Sequence, residues 1–172
     1  MATTNIAYSA DAAIAVTAWD TGLTTGLSAT SAIFDNTSTL YIDLLVGGLI
    51  ELGATTPLLG DTMDIYIGAL YDKDTTSTTG GTIDSLMDAG TPATETVDVD
   101  FVRANLILFK SVAVEATTPA IAQSYAFNPT ACAQFFGGVL PQKIYFLLHN
   151  NTGGTLVTGS ALNSVGITYI TA

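Results

Sequence analysis

Cations are nearly missing from this chain. Among 172 residues the only lysines and arginine are Lys73, Arg103, Lys110 and Lys143, set against 15 aspartates and glutamates, for a formal net charge of −11. Four scattered cations neutralise few phosphates, and the net charge repels a phosphate backbone, so sequence-independent binding of nucleic acid is excluded. An anionic membrane surface is disfavoured for the same reason. Charge of either sign is scarce, at 11% of residues against the usual quarter. A compact monomer of this mass exposes roughly 8,000 Å², so its charges stand at about one per 400 Å². Apolar residues reach 48% and mean hydropathy is +0.46, a balance that predicts an exterior covered by copies of the chain or by a partner.

Cysteine, histidine and tryptophan each occur once. The single Cys132 excludes an intrachain disulfide and any cysteine-rich metal site. The longest apolar run, Leu44 to Ile50, lies between Asp43 and Glu51 and contains two glycines, far short of a membrane span. No Lys or Arg precedes Lys73, and Asp11 interrupts the apolar residues of Met1 to Ala18. That segment lacks the cationic start of a secretory signal, and export by that route is not expected. With no proline-rich, serine-rich or charged divider, residues 1–172 are expected to form a single domain.

Threonine is the commonest residue, and it occurs with Gly, Val, Ile and Tyr in short patterned segments of the kind that favour strands. Leu40, Ile42, Leu44 and Val46 alternate with Tyr41, Asp43 and Leu45, which predicts a core strand over 39–46. Met63, Ile65, Ile67, Ala69 and Tyr71 repeat the pattern against Asp64, Tyr66, Gly68 and Leu70. Further strands are expected at Ala13–Ala18, Thr96–Val99, Asn105–Val114, Ile121–Phe127, Lys143–His149 and Val165–Thr171. About eight short strands separated by Gly, Asn, Asp and Thr turns predict an all-β, antiparallel sandwich or barrel.

One or two short helical turns are expected beside them. Over 128–137, Asn128 serves as the cap, Pro129 as the first helical residue and Gly137 as the terminator. Cys132, Phe135 and Phe136 then share a face, with Phe127 stapled onto Cys132. A second turn spans Thr82–Asp88 with Ile83, Leu86 and Met87 on one side. The Thr/Ser/Gly-rich segment 72–82 is too polar to pack and is expected to be an exposed, mobile loop. Asn150 to Gly154 should turn the chain between the last two strands.

No catalytic residues, metal ligands or cofactors are assigned. His149 has neither a Gly-x-Ser-x-Gly elbow nor a metal partner in the sequence, and Cys132 reads as buried. Asp98 and Asp100 flank Val99 as a cation site or a glycosidase pair would require, yet their alternation with Val97 and Phe101 also fits a solvated strand face. Asp72 and Asp74 lack the spacing of a calcium loop. The pairs Gly47-Gly48, Gly80-Gly81, Gly137-Gly138 and Gly153-Gly154 are read as bulges and tight turns, since no Gly-Lys-Ser/Thr follows them. Trp19, Phe135 and Phe136 are candidate anchors of the core or of an interface. A carbohydrate-binding, adhesin-like module using Trp19 and exposed tyrosines is an alternative reading.

The order of features is itself informative. Ser31-Ala32-Ile33-Phe34-Asp35-Asn36-Thr37-Ser38 leads into an aliphatic strand, and Asn128 to Gly138 ends in Phe-Gly-Gly. Leu140-Pro141, an apolar strand from Ile144, Asn150-Asn151-Thr152-Gly153-Gly154-Thr155-Leu156 and a closing Ile167-Thr168-Tyr169 follow. Together these resemble small virion structural proteins of tailed bacteriophages that decorate or cement the head shell, chiefly over 31–70 and 127–170. The resemblance implies a jelly-roll-like sandwich and a non-enzymatic role on the outer capsid surface, after synthesis in the host cytoplasm. It also implies the major capsid protein as partner and self-association as a homotrimer. A tail, neck or fibre-associated component is the alternative within that class.

Overall fold

The computed structural model describes residues 4–20, 22–54, 60–70, 94–95, 106–114 and 122–171. The expected 72–82 loop, the Thr82–Asp88 turn, the Thr96–Val99 strand, Gly80-Gly81 and the carboxylates of Asp72, Asp74, Asp98 and Asp100 lie outside the described residues.

Alternating apolar residues give strands throughout: β1 (Thr4–Tyr8), β2 (Ala12–Ile14), β3 (Ser28–Thr30), β4 (Phe34–Asp35), β5 (Asp43–Leu52), β6 (Thr62–Leu70), β7 (Thr94–Glu95), β8 (Ile107–Ala113), β9 (Gln123–Ala131), β10 (Lys143–Asn150) and β11 (Ala161–Thr171). The one helical element among the described residues is a 3₁₀ turn, Ala133–Phe136. Every pairing is antiparallel, in two sheets: β1-β11-β5-β9 with β2 also on β11, and β7-β3-β10-β6-β8 with β4 also on β10. β1 and β2 run end to end along β11, and β3 and β4 run end to end along β10. Taken as two interrupted segments, they leave a nested order. The first segment pairs with the last, the second with β10, β5 with β9 and β6 with β8. That order is a jelly roll, to which the two-residue β7 adds an edge.

Between the sheets lie Leu44, Val46 and Ile50 of β5, Met63, Ile65 and Ile67 of β6, Ile144, Phe146 and Leu148 of β10, and Leu162 of β11, all fully buried. Burying each such side chain contributes about 1.5–3 kcal/mol. Phe109 centres an aromatic cluster, 5.1 Å from Phe146, 5.4 Å from Phe135 and 6.4 Å from Phe127 between ring centroids. The tilted and edge-on ring geometries there are the favourable ones.

Three local expectations are corrected. The strand expected at 39–46 begins at Asp43, and Leu40 is 66% exposed with φ at 53°. The side-chain amide of Asn36 accounts for this, since its Nδ2 donates to Tyr41 O at 2.9 Å and its Oδ1 accepts from Tyr41 N at 2.7 Å. Backbone groups that a sheet ladder would use are thereby held in a turn. The strand expected over Ala13–Ala18 ends at Ile14, and residues 17–20 form a turn closed by Trp19 N donating to Val16 O.

Asn128 and Pro129 belong to β9 and start no helix. Ladder pairing of Thr130 with Val46 and Ala131 with Leu45 keeps the chain extended past them. The register shifts opposite Gly47, a bulge in which proline, lacking an N–H, costs no ladder bond. Cys132 occupies the cap position without a side-chain cap bond, and Gly137 ends the turn in the left-handed conformation, φ 73°.

Candidate functional site

Asn150 organises the crossing from β10 to β11. The fully buried amide donates through Nδ2 to Leu23 O and Gly154 O, both at 2.9 Å, and accepts through Oδ1 from Thr152 N at 2.9 Å and Thr152 Oγ1 at 2.7 Å. All four bonding positions of the side chain are used. The loop therefore turns as expected, but it carries the chain from one sheet to the other and forms no hairpin.

A polar row crosses the outer face of the β10 sheet. Ser28, His149, Asp64 and Ser111 are directly opposite one another on β3, β10, β6 and β8, so their side chains share one face. Ser28 Oγ lies 2.8 Å from His149 Nδ1, Ser111 Oγ donates to Asp64 Oδ1 at 2.5 Å, and Asn151 Nδ2 donates to Asp64 Oδ2 at 3.0 Å. Ser28 is 1% exposed and His149 2%. A hydroxyl buried to that degree has no route to an external substrate as placed. What the row does is fix register, because a one-residue slip would turn these polar groups into the apolar core. Sequence alone hides the row, since its members come from four separate strands.

Cys132 is equally enclosed. Burial first, and the nearby Asp43 carboxylate second, push its thiol well above the ordinary value, so the nucleophilic thiolate is suppressed. Asp43 Oδ1 accepts from Leu44 N at 2.7 Å and from Ala133 N at 2.8 Å, tying the 3₁₀ turn to β5. Among the described residues no buried side-chain nitrogen or oxygen lacks a partner, and no group of three or more His, Cys, Asp or Glu side chains is arranged to hold a metal. Among those residues no helix is long and apolar enough to cross a membrane.

Trp19 lies wholly inside the core, its Nε1 donating to Ala29 O at 2.9 Å. Its ring therefore presents no face to a sugar. Phe135 and Phe136 are half-buried against the same core.

Several exposed apolar side chains gather elsewhere. In β11 the even-numbered residues Leu162, Ser164 and Gly166 are buried, which turns Val165, Ile167 and Tyr169 outward. Ile6 stands opposite Tyr169 and Tyr8 opposite Ile167, while Leu45 of β5 stands opposite Val165. Ile6 is 59% exposed, Tyr8 64% and Tyr169 62%. A shallow depression bounded by Leu45, Leu49, Pro129 and Val165 continues this face towards β9, with Asp11 at its rim. The described cations Lys110 and Lys143 lie on β8 and β10, in the other sheet. The outer face of the β1-β11-β5-β9 sheet is thus apolar at its centre and carries carboxylates, Asp11, Asp43 and Glu51, around it. Period-two alternation in β11 carried a signal for this face, but only pairing with β1 and β5 assembled it.

No protein-family model, curated protein or solved structure matches the chain.

Proposed function

We propose that this chain is a non-enzymatic virion structural protein that decorates the outer surface of a tailed-bacteriophage capsid and cements neighbouring shell subunits as a homotrimer. The observation that carries the reading is a jelly-roll sandwich with one broad apolar sheet face clear of the described cations, the kind of surface that gains affinity by covering area. The enclosed Ser28–His149 pair and the protonated Cys132 thiol support a binding role over a chemical one. The resemblance over 31–70 and 127–170 supplies the virion setting.

The mechanism is mass action. A protein that binds only the assembled shell lowers the free energy of that state, by about 2.7 kcal/mol per site when its free concentration is a hundred times Kd. The major capsid protein is the partner, and the carboxylate excess keeps the chain clear of packaged DNA. Purified protein added to undecorated shells is expected to raise their rupture temperature and their scattering mass together. If both stay unchanged at saturating concentration, the reading is wrong. Labelled antibody on intact virions separates this location from a tail, neck or fibre position.

A further inference from the structure

A sheet face with an apolar centre of this size needs a cover. At their observed exposures Ile6, Tyr8 and Tyr169 present together roughly 350 Å² of side chain, taking a tyrosine as about 150–250 Å² when fully exposed. Those three alone fall within the range of the largest patch on an ordinary monomer, about 300–600 Å². The half-buried Leu45, Leu49, Val165 and Ile167 on the same face extend it towards the roughly 800 Å² per partner of a stable interface. Tyrosines at the centre and carboxylates at the edge match the anatomy of such interfaces.

Charge decides which partner fits. A partner selected by electrostatics would have to supply cations to the rim, yet two of its three carboxylates, Asp43 and Glu51, already have protein donors. Asp43 Oδ1 holds the Leu44 and Ala133 amides, and the Ser124 hydroxyl lies 2.7 Å from Glu51 Oε1. The central residues carry no charge. A second copy of the same surface therefore meets it apolar on apolar, buries no ion, and brings a sheet of the same twist, which is the condition for two sheets to stack face to face.

We propose that the outer face of the β1-β11-β5-β9 sheet, centred on Ile6, Tyr8, Ile167 and Tyr169, is covered by a further copy of this chain. The assignment rests on the reading above only in taking the copies to associate, and attachment to shells is a separate measurement. Light-scattering mass is followed across dilution from several hundred micromolar to low micromolar, for wild type, for Tyr8→Ser/Tyr169→Ser and for Leu108→Ser. Leu108 is 49% exposed on β8 in the other sheet and serves as the control. Wild type is expected at two or three times 17.7 kDa at high concentration. The double variant is expected to dissociate at about tenfold or more higher concentration, and Leu108→Ser is expected to behave as wild type. A wild type that stays monomeric throughout overturns the self-association and the face together. An oligomer equally stable in the double variant overturns the face alone. Should the double variant unfold, hydroxyl-radical footprinting of wild type decides, since Tyr8 and Tyr169 must lose reactivity as the oligomer forms. Unchanged reactivity at these two rings overturns the assignment.

Discussion

Replacing Asn150 with alanine tests how much of the sandwich depends on one buried amide. The substitution leaves Gly154 O without its Nδ2 donor and Thr152 N without its acceptor, and Leu23 O loses one of two donors but keeps the Leu156 N–H at 3.0 Å, all in a region where Asn150, Thr152 and Gly154 are buried. The Thr152 hydroxyl recovers part of its bonding by turning towards Gly154 O, already 3.5 Å away. Each stranded buried backbone group costs about 1 kcal/mol or more, so the total is about 2–3 kcal/mol. In a domain of this length that lowers Tm by roughly 7 °C. Thr152→Val is the calibrating variant. It removes the hydroxyl, which donates to Asn150 Oδ1 and accepts from Gly154 N at 3.1 Å, leaves the Thr152 N–H on Asn150 Oδ1, and should cost about 1–2 kcal/mol. Urea unfolding of both, followed by fluorescence of the buried Trp19, measures the difference. A loss below about 1 kcal/mol in Asn150→Ala would mean that water replaces the amide in the loop, and the view of Asn150 as organiser of the sheet-to-sheet crossing would fail.

Further outcomes follow from individual contacts. A Cβ on Gly48 would lie 2.5 Å from Ala161 O, a backbone atom, whereas on Gly68 it would meet the tip of the Tyr145 ring at 2.5–2.6 Å. The carbonyl cannot retreat without breaking the β5–β11 ladder, so Gly48→Ala should cost about 3 kcal/mol and Gly68→Ala about 1 kcal/mol; equal losses in urea unfolding would contradict this. Burial raises the Tyr145 phenol from its ordinary 10.0 to about 12. Its contribution, on the order of 2–3 kcal/mol, is complete below pH 10 and is lost as pH rises towards about 12, because the unfolded chain ionises first. Tyr145→Phe should flatten that alkaline limb of the stability profile, and an unchanged limb would reject the assignment. Cys132, fully buried with its thiol held protonated, should react with a thiol reagent at mildly alkaline pH only as fast as the protein unfolds. Rapid labelling under native conditions would show that the site is open.

Much of the fold was legible because central strands carry the strongest period-two signal. Over the described residues the 63–71 and 143–149 segments become β6 and β10 almost residue for residue, since every second side chain must be apolar to line the inter-sheet core. Edge segments read poorly. β3 and β4 are three and two residues long, too short for any period. Local capping signals misled at Asn128-Pro129, where the ladder to β5 outweighs the preference of a few residues for a helical turn.

The residues by themselves determined that this chain would be all-β and low in charge, because composition and alternation fix those properties without reference to the path of the chain. Only the tertiary structure decided which side of each sheet was left open. Asp64, Tyr66, Tyr145, Leu147 and His149 sit at the positions that alternation assigns to the outside, yet all are buried. Tyr8 and Tyr169, of the same residue types, stand in the open on the other sheet. Period two says that two side chains point in opposite directions. What covers each direction depends on strands more than a hundred residues apart, and neighbours in sequence carry no record of that.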